Sequence, residues 1–356
     1  MGFGLGMFVE KSGLGPFDDA RVGLEAGGGI EVVTGTASVG QGVETVLAQI
    51  CAHALDVPPE RVRVFHGKTD RIADGMGAFA SRATVMTGSA VHLATIALRR
   101  KLLLEAGRLL QAPPADLTIE QGQIHGAAGG ALGLADLACE LSQAQGIALS
   151  AEARFSSAQM TYPYGIMAVV VRVDGETGGV AIERAWVAYD VGRAVNPMLI
   201  EGQIAGGVVQ GIGGSLLEAF LYDESGQPLA ASFADYLMPN LAEMPPIDVL
   251  ITEDAPSPLN PLGVKGAGEG GINAAGAAIA AAIDAALARP GAVDRLPVTS
   301  ERLYRLASAE PGSERGAWGS LEQFPMRWTR FGSFRRLAHR DKIALSLGVR
   351  AALSGR

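Results

Sequence analysis

Glycine clusters constrain this chain more than any other feature of its sequence. The chain has 48 glycines among 356 residues, whereas glycine makes up about 7% of an average protein. The glycines follow no fixed repeat, which excludes a collagen-like chain. They cluster at the ends of apolar runs, a pattern typical of backbone that lies close to another strand or to a ligand. One cluster, GVKGAGEGG at residues 263–271, surrounds a single carboxylate, Glu269, with Lys265 four residues upstream.

The composition indicates a folded protein with no affinity for nucleic acid. Hydrophobic residues make up 48% of the chain and charged residues 19%, which excludes an intrinsically disordered polypeptide. The length is sufficient for two domains or subdomains, each with its own core. The formal net charge is −8, and nucleic-acid binding would require a basic surface instead.

Cysteines and histidines are few and scattered. Cys51 and Cys139 both lie in apolar stretches with helical spacing, so we expect two buried structural thiols. The five histidines form no ligand-spaced pair, and a metal held by protein side chains is therefore not expected. The N-terminus lacks the pattern of a signal peptide, and the apolar run at residues 274–287 is short and interrupted by Asp284. We expect a soluble cytoplasmic protein that does not contact a membrane.

The spacing of apolar residues predicts an α+β chain. Alternating β-branched residues predict strands at residues 30–36, 61–65 and 247–252, and hairpins at residues 117–125 and 165–188. Apolar residues at helical spacing predict helices at residues 43–55, 81–110, 134–141, 197–217 and 271–287. The pattern loosens between residues 146 and 157, and we place a boundary there between mixed α/β subdomains at 1–150 and 151–300. Residues 301–356 form a basic tail, expected to be a solvated segment or a docking helix.

Four loops of small residues each adjoin a predicted helix. They are GQG at residues 40–42, GAFASR at 77–82, QIAGG at 203–207 and GVKGAGEGG at 263–271. Free N–H groups at a helix N-terminus bind anions, so each loop is a candidate ligand contact. A dinucleotide fold is excluded, because the last loop follows a proline-rich segment and not a strand. No loop ends in the Gly-Lys-Ser/Thr of a nucleotide P-loop.

Each loop also has an ordinary structural explanation. Small residues allow tight packing where a helix begins, Gln41 can be a surface residue, and Gln203 can be an ordinary helical residue. An acid such as Glu269 just before a helix complements the helix dipole by about 0.3–1 kcal/mol. Taken one at a time, the loops favour these explanations. Four of them in one chain favour a single large ligand contacted by several segments.

Four longer motifs occur in a fixed order along the chain. They are TGTASVGQGVET at residues 34–45, GAFASRATVMTGSA at 77–90, DVGRAVNPMLIEGQIAGGVVQGIGGSLLE at 190–218 and SPLNPLGVKGAGEGGINAA at 257–275. Together they resemble the molybdopterin-binding subunit of the xanthine dehydrogenase family of molybdenum hydroxylases. The similarity is to its carbon monoxide dehydrogenase-like and aldehyde oxidase-like members. The expected fold is α+β, with both subdomains forming the second molybdenum-cofactor-binding domain of that family.

The resemblance implies a role for each motif. Glu269 matches the catalytic glutamate, which in that family takes the proton of a molybdenum-bound hydroxide as its oxygen attacks an aldehyde or N-heterocycle carbon. The matching cofactor contacts are Gly40, Gln41, Gly42, Phe79, Ala80, Ser81, Arg82, Gln203, Gly266, Ala267 and Gly268. The dithiolene of the pterin holds the metal, so the protein supplies no metal ligand. Bacterial relatives carry molybdopterin cytosine dinucleotide, which we expect here.

The resemblance covers residues 2–302 and only the C-terminal half of that subunit. It therefore implies three partner chains: an N-terminal-half molybdenum subunit, an iron–sulfur subunit with 2Fe–2S clusters and an FAD subunit. Two cysteines cannot hold a four-thiolate cluster, so we expect the chain to be inactive without partners. The alternative is a non-catalytic truncated remnant, or an assembly scaffold that retains the fold.

Overall fold

The computed structural model describes residues 1–126, 129–145 and 149–308. The strands are β1 (Gly2–Val9), β2 (Phe17–Leu24), β3 (Ile30–Thr34), β4 (Val62–His66), β5 (Leu117–Glu120), β6 (Gln123–Gly126), β7 (Ala131–Gly133), β8 (Ser150–Ser156), β9 (Tyr164–Val173), β10 (Val180–Asp190) and β11 (Ile247–Thr252). The α-helices are α1 (Val43–Leu55), α2 (Gly88–Leu110), α3 (Leu134–Gln145), α4 (Pro197–Leu216), α5 (Gly270–Asn273), α6 (Ala275–Leu287) and α7 (Ser300–Ser308). A π-helical turn, Ala83–Thr87, directly precedes α2. The predicted tail lies outside the described residues beyond residue 308.

The first sheet has the strand order β4-β3-β2-β8. β2 is antiparallel to β3 and β8, whereas β3 and β4 are parallel and are joined through α1. Parallel neighbours need such a crossover helix. Apolar residues of the sheet and of α1 and α2 form one core, with Val22, Ile30, Leu47 and Leu98 each completely or almost completely buried. A small sheet, β5-β6-β7, adjoins this part of the chain.

The second sheet has the strand order β1-β9-β10-β11. β9 is antiparallel to β1 and β10, and the parallel pair β10 and β11 is joined through α4. Helix α6 lies directly on the backbone of β1. A Cβ atom added to Gly4 would lie 2.0 Å from the carbonyl oxygen of Ala278, so only glycine permits this approach. The alternating glycines of β1 thereby explain part of the high glycine content.

The strand pairings bear on the division of the chain. β1 joins the sheet of the C-terminal half, and β8, in the interval where the pattern loosens, pairs with β2. The boundary at residue 150 stays a prediction. The expected α+β class is confirmed: both large sheets are mixed and carry helices.

Several predicted elements agree with the structure and others differ for physical reasons. The helix at residues 43–55 and the strand at residues 247–252 are confirmed at both ends, and both hairpins are present. The helix predicted from Ser81 begins only after it, because Ala80 and Ser81 have φ values of 46° and 49°, outside the right-handed helical region. The predicted helix at residues 271–287 is interrupted at Ala274.

Two further predictions are wrong in part. Cys51 is buried, and burial raises the pKa of its thiol to about 11, whereas Cys139 is exposed on α3. The neighbouring residues Leu137 and Ala138 fill the buried face of that helix instead.

Residues Gly270–Leu287 are long and apolar enough to cross a membrane, contrary to the prediction. They are a core helix pair, however, because the apolar side of α6 is buried against the second sheet.

Candidate functional site

A cavity of about 290 Å³ lies where three of the four predicted loops meet helix α4, which contains the fourth, residues 203–207. Nine of the twelve predicted site residues line it: Gln41, Phe79, Ala80, Ser81, Arg82, Gln203, Ala267, Gly268 and Glu269. The other three, Gly40, Gly42 and Gly266, do not line it. Loops that are far apart in sequence therefore meet around one space, as a single large ligand requires.

Glu269 is held at the cavity by a serine from another loop. Its Oε2 accepts a hydrogen bond of 2.8 Å from Ser81 Oγ, and its backbone N–H donates to the same Oγ at 3.2 Å. Glu269 is exposed and precedes α5, but its side chain makes no capping hydrogen bond. The carboxylate of Glu269 is therefore not oriented by capping the N-terminus of α5. It is oriented by its hydrogen bond with Ser81.

Arg82 fixes the loop that carries Ser81. Its guanidinium is completely buried and donates to the carbonyl oxygens of Leu14 (2.7 Å), Phe17 (2.7 Å) and Gly77 (3.1 Å). It also donates to Asp18 Oδ2 at 3.0 Å in a buried ion pair. The charge of Arg82 is therefore neutralised inside the protein, and the backbone of this segment and the exposed side chain of Phe79 are what it presents to the cavity. Burial raises the pKa of Asp18 despite its basic partner, and its Oδ1 has no hydrogen-bond partner.

The two glutamines differ in their freedom to bind a ligand. Gln41 is used within its own loop: its Oε1 accepts from the Val39 N–H at 2.7 Å and its Nε2 donates to the Ala37 carbonyl at 2.9 Å. Gln203 lies on α4, seven residues after the cap Asn196, on the face of the helix that lines the cavity. Its side chain makes no hydrogen bond with the part of the chain that the structure describes. Its amide is therefore available to a bound molecule.

Gly266 is a packing contact behind the cavity. Its N–H donates to Ser12 Oγ at 3.1 Å, and its carbonyl oxygen accepts from the Tyr189 hydroxyl at 2.9 Å. A Cβ atom at this position would lie 2.5 Å from Ser81 Cβ. The glycine therefore lets the loop of Glu269 lie against the loop of Ser81.

Several residues near the site were not predicted from the sequence. Arg193 lines the cavity, is exposed and makes no ion pair among the described residues. Lys265 also lines it, but its ammonium group is paired with Asp190 at 2.7 Å and is nearly buried. Arg193 falls within the third long motif, so the sequence contained a signal from which it could have been predicted as a site residue. Glu10 and Tyr189, behind Ser81, carry no motif signal.

Comparison with known sequences identifies the family. The sequence model described as molybdopterin cofactor-binding domain matches residues 1–245. The chain belongs to this molybdopterin cofactor-binding domain family. The predicted family is confirmed.

Individual members of the family show how much of a complete protein is present. The 6-hydroxypseudooxynicotine dehydrogenase complex subunit gamma of Paenarthrobacter nicotinovorans is 44% identical over 312 residues, which are 85% of this chain and 39% of the relative. Nicotine 6-hydroxylase large subunit of the same organism is 35% identical over 327 residues, 86% of this chain and 40% of the relative. Quinoline 2-oxidoreductase from Pseudomonas putida 86 superposes with a TM-score of 0.77 at 34% identity, covering 87% of this chain and 42% of that one.

The chain therefore spans about 40% of the length of these relatives. Their names describe dehydrogenases, hydroxylases and oxidoreductases, and two of them are subunits of larger assemblies. These relatives do not favour the alternative of a non-catalytic remnant.

Proposed function

We propose that this chain is the C-terminal cofactor-binding part of the large subunit of a molybdenum hydroxylase, with Glu269 as its catalytic base. The observation that carries the proposal is the convergence of Glu269, Gln41, Gln203 and residues 79–82 on one cavity. The reaction is the hydroxylation of an aldehyde or an N-heterocycle with oxygen from water. Quinoline, in the name of one relative, is a molecule of the second class.

The residues around the cavity fit a metal that brings its own ligands. No cysteine or histidine is among the cavity-lining residues of the described chain, and its described part contains no cluster of acids, histidines and cysteines suited to a metal ion. A pterin dithiolene needs no such cluster. When bound, this cofactor would supply the two-electron redox centre and the activation of water.

Among the described residues, the groups that would hold the cofactor are neutral donors and one cation without an ion pair, Arg193. Gln203 offers an amide that makes no hydrogen bond within the described residues, residues 79–82 offer backbone, and Gly268 lines the cavity beside Glu269. Asn196, which caps the N-terminus of α4, also lines the cavity. A helix N-terminus and the exposed Arg193 together favour a phosphate group. These features support the dinucleotide form of the cofactor, with cytosine as the expected base.

The position of Glu269 suits a base. Ser81 binds only its Oε2, and its Oε1 makes no hydrogen bond within the described chain, so one oxygen is free to accept a proton. Gly268 lines the cavity beside Glu269, whereas Gly270 lies against the ring of Tyr189. A positioned carboxylate of this kind contributes roughly 10²–10⁴-fold to a reaction rate.

An apolar sheet face supports a polypeptide partner. An apolar row projects from the side of the sheet opposite α6: Phe3, Leu5 and Met7 alternate with Gly2, Gly4 and Gly6, and Val9 continues the alternation after Phe8. Met7 is 77% exposed, and contiguous exposed apolar surface marks interaction sites. We assign this face to the polypeptide equivalent to the N-terminal part of the relatives. Iron–sulfur and FAD subunits complete a cytoplasmic complex, and this chain alone cannot carry out the reaction.

The test is Glu269→Gln in the assembled enzyme, with Glu176→Gln on the exposed β9–β10 turn as the matched control. Molybdenum content, cytidine monophosphate released by acid hydrolysis, and turnover are measured together. We expect turnover to fall by at least about 100-fold while molybdenum and nucleotide stay at the level of the control. Retained turnover, or loss of molybdenum in proportion to activity, would contradict the role of Glu269 as a base.

A further inference from the structure

The loop between β3 and α1 is tied to its neighbours at Ser38. The backbone N–H of Ser38 donates to Nδ1 of His66 at 3.4 Å, and its hydroxyl donates to Oε2 of Glu44 at 3.1 Å. The other carboxylate oxygen of Glu44, Oε1, lies 2.9 Å from Nε2 of His66. His66 is the last residue of β4, and Glu44 lies in the first turn of α1. These three residues, the Ser38 clamp, therefore join the loop to the neighbouring strand and to the helix that follows.

The contacts of the Ser38 clamp assign a tautomer to His66. Nδ1 must accept, because the backbone N–H of Ser38 can only donate, and Nε2 then carries the hydrogen that it donates to Glu44. The opposite tautomer satisfies neither contact. The pKa of Glu44 is lowered, chiefly by its own backbone N–H and further by His66 and Ser38, while burial opposes this. Glu44 is therefore the ionised acceptor that the clamp requires.

Gln41 binds the residues on both sides of Ser38. Its Oε1 accepts from the N–H of Val39, and its Nε2 donates to the carbonyl oxygen of Ala37. An amide turned by 180° would place its NH₂ group against an N–H and its oxygen against a carbonyl, so the loop fixes the orientation of Gln41. The second hydrogen of Nε2 makes no hydrogen bond within the described chain, and Gln41 lines the cavity. The position of Ser38 therefore decides where this hydrogen points.

The glycines beside Gln41 provide no side chain that could hold the loop. Gly40 and Gly42 have φ values of 96° and 76°, and Gly42 is the N-cap residue of α1. A Cβ atom at Gly42 would lie 2.8 Å from Cδ1 of Leu199 on α4, so this approach favours glycine. Because glycine backbone is the most flexible, the loop needs to be fixed from outside these two positions.

We propose that His66 is a positioning residue for Gln41: through Ser38 it holds the loop in the conformation in which the Gln41 amide faces the cavity. This inference rests on the proposed function, in which Gln41 contacts the cofactor. Neither His66 nor Glu44 is among the cavity-lining residues of the described chain. Both therefore act through the loop and not on a bound molecule.

The first test examines the Ser38 clamp in the cofactor-free full chain by NMR. With ¹⁵N in the imidazole ring, at about pH 8, where an ordinary histidine is neutral, we expect protonated Nε2 and unprotonated Nδ1 at His66. His66→Gln keeps a donor for Glu44 but loses the acceptor for Ser38, whereas in His66→Asn the side-chain oxygen can replace Nδ1. We expect His66→Gln to speed hydrogen exchange at the amides of Ser38 and Val39 by roughly 10-fold, the effect of losing one hydrogen bond.

The amide of Val39 is the decisive position, because it binds Gln41 and not His66. His66→Asn should restore most of the protection of this amide. His125→Gln, on an exposed position of β6, is the matched control and should change nothing. A His66 that carries its proton on Nδ1, or a Val39 amide that exchanges at the wild-type rate in His66→Gln, would overturn the positioning role.

The second test uses the assembled enzyme and separates this inference from the proposed function. We expect His66→Gln and Gln41→Ala each to lower the molybdenum and cytidine monophosphate content, and the double variant to lose no more than Gln41→Ala alone. Losses that add in the double variant would show that His66 acts independently of Gln41, contrary to the inference. If Gln41→Ala retains the full cofactor content, the proposed contact of Gln41 with the cofactor fails, while the exchange at Val39 still measures the clamp.

Discussion

Replacement of Arg82 by methionine tests how the site is held in place. The change removes all four hydrogen bonds of a guanidinium that is completely buried. It leaves the carboxylate of Asp18 without its cation in the protein interior. Loss of one partner of a buried ion pair costs about 3–5 kcal/mol, and methionine recovers part of the packing. We therefore expect Arg82→Met to lower the free energy of unfolding by about 3–5 kcal/mol.

Arg154→Met is the matched control. Arg154 also binds two acids, Asp19 at 2.6 Å and Asp74 at 3.1 Å, but its side chain is 51% exposed. Such surface pairs contribute only about 0–1 kcal/mol. Urea unfolding of both variants and of wild type gives the two differences. Equal losses for Arg82→Met and Arg154→Met would refute the argument from burial. Adding Asp18→Asn to Arg82→Met should recover at least about 1 kcal/mol, because the orphaned charge is then removed.

Two further changes test the sheet face and the buried acid Glu10. Met7→Asp places a charge on the apolar face and should abolish co-purification with the N-terminal-half polypeptide. Leu109→Asp, at an exposed position of α2, is the control and should leave co-purification unchanged. If both variants retain the N-terminal-half polypeptide equally, the face is not the interface. The raised pKa of Glu10 means that its proton stabilises the fold fully below pH 4.5 and that this contribution is lost as the pH rises through the folded-state pKa. Glu10→Gln lacks this loss, so its melting temperature should rise relative to wild type as the pH increases from 4.5; parallel curves for the two proteins would contradict it.

The sequence predicted the elements whose patterns are local. Helix α1 has apolar residues at helical spacing and a glycine directly before it, and both of its ends agree with the structure. β1 was not predicted, because three of its eight residues, Gly2, Gly4 and Gly6, are glycine and strand propensity is low there. It is a strand because it pairs along its whole length with β9, more than 150 residues away in the chain, and its glycines let α6, more than 250 residues away, lie against it. Such a pairing carries no local signal.

The site residues also divide into those with a local sequence signal and those that are brought to the site only by distant contacts. Gln41, Gln203 and Glu269 lie in long motifs, and their convergence on one cavity followed from the resemblance. Glu10 stands alone in the sequence between a strand and a loop, with no spacing that relates it to Glu269. Its proximity arises only because Gly266 and the left-handed backbone at Ser81 let two loops touch. Contacts that depend on the absence of side chains are difficult to infer from a single sequence.

The close packing of α6 on β1 also limits which substitutions this site can tolerate during evolution. Glu10 stands at the end of the strand and Glu269 just before the short helix that leads into α6, so both acids are attached to one glycine–alanine contact. The side chains of α6 at this contact are alanine methyl groups, which cannot move aside, and the Cβ of an alanine at Gly4 would overlap the Ala278 carbonyl oxygen. A single methyl group there would shift the spacing of two acids at a distance from it. Variation in substrate preference is therefore expected in the cavity loops, while this contact tolerates almost no exchange.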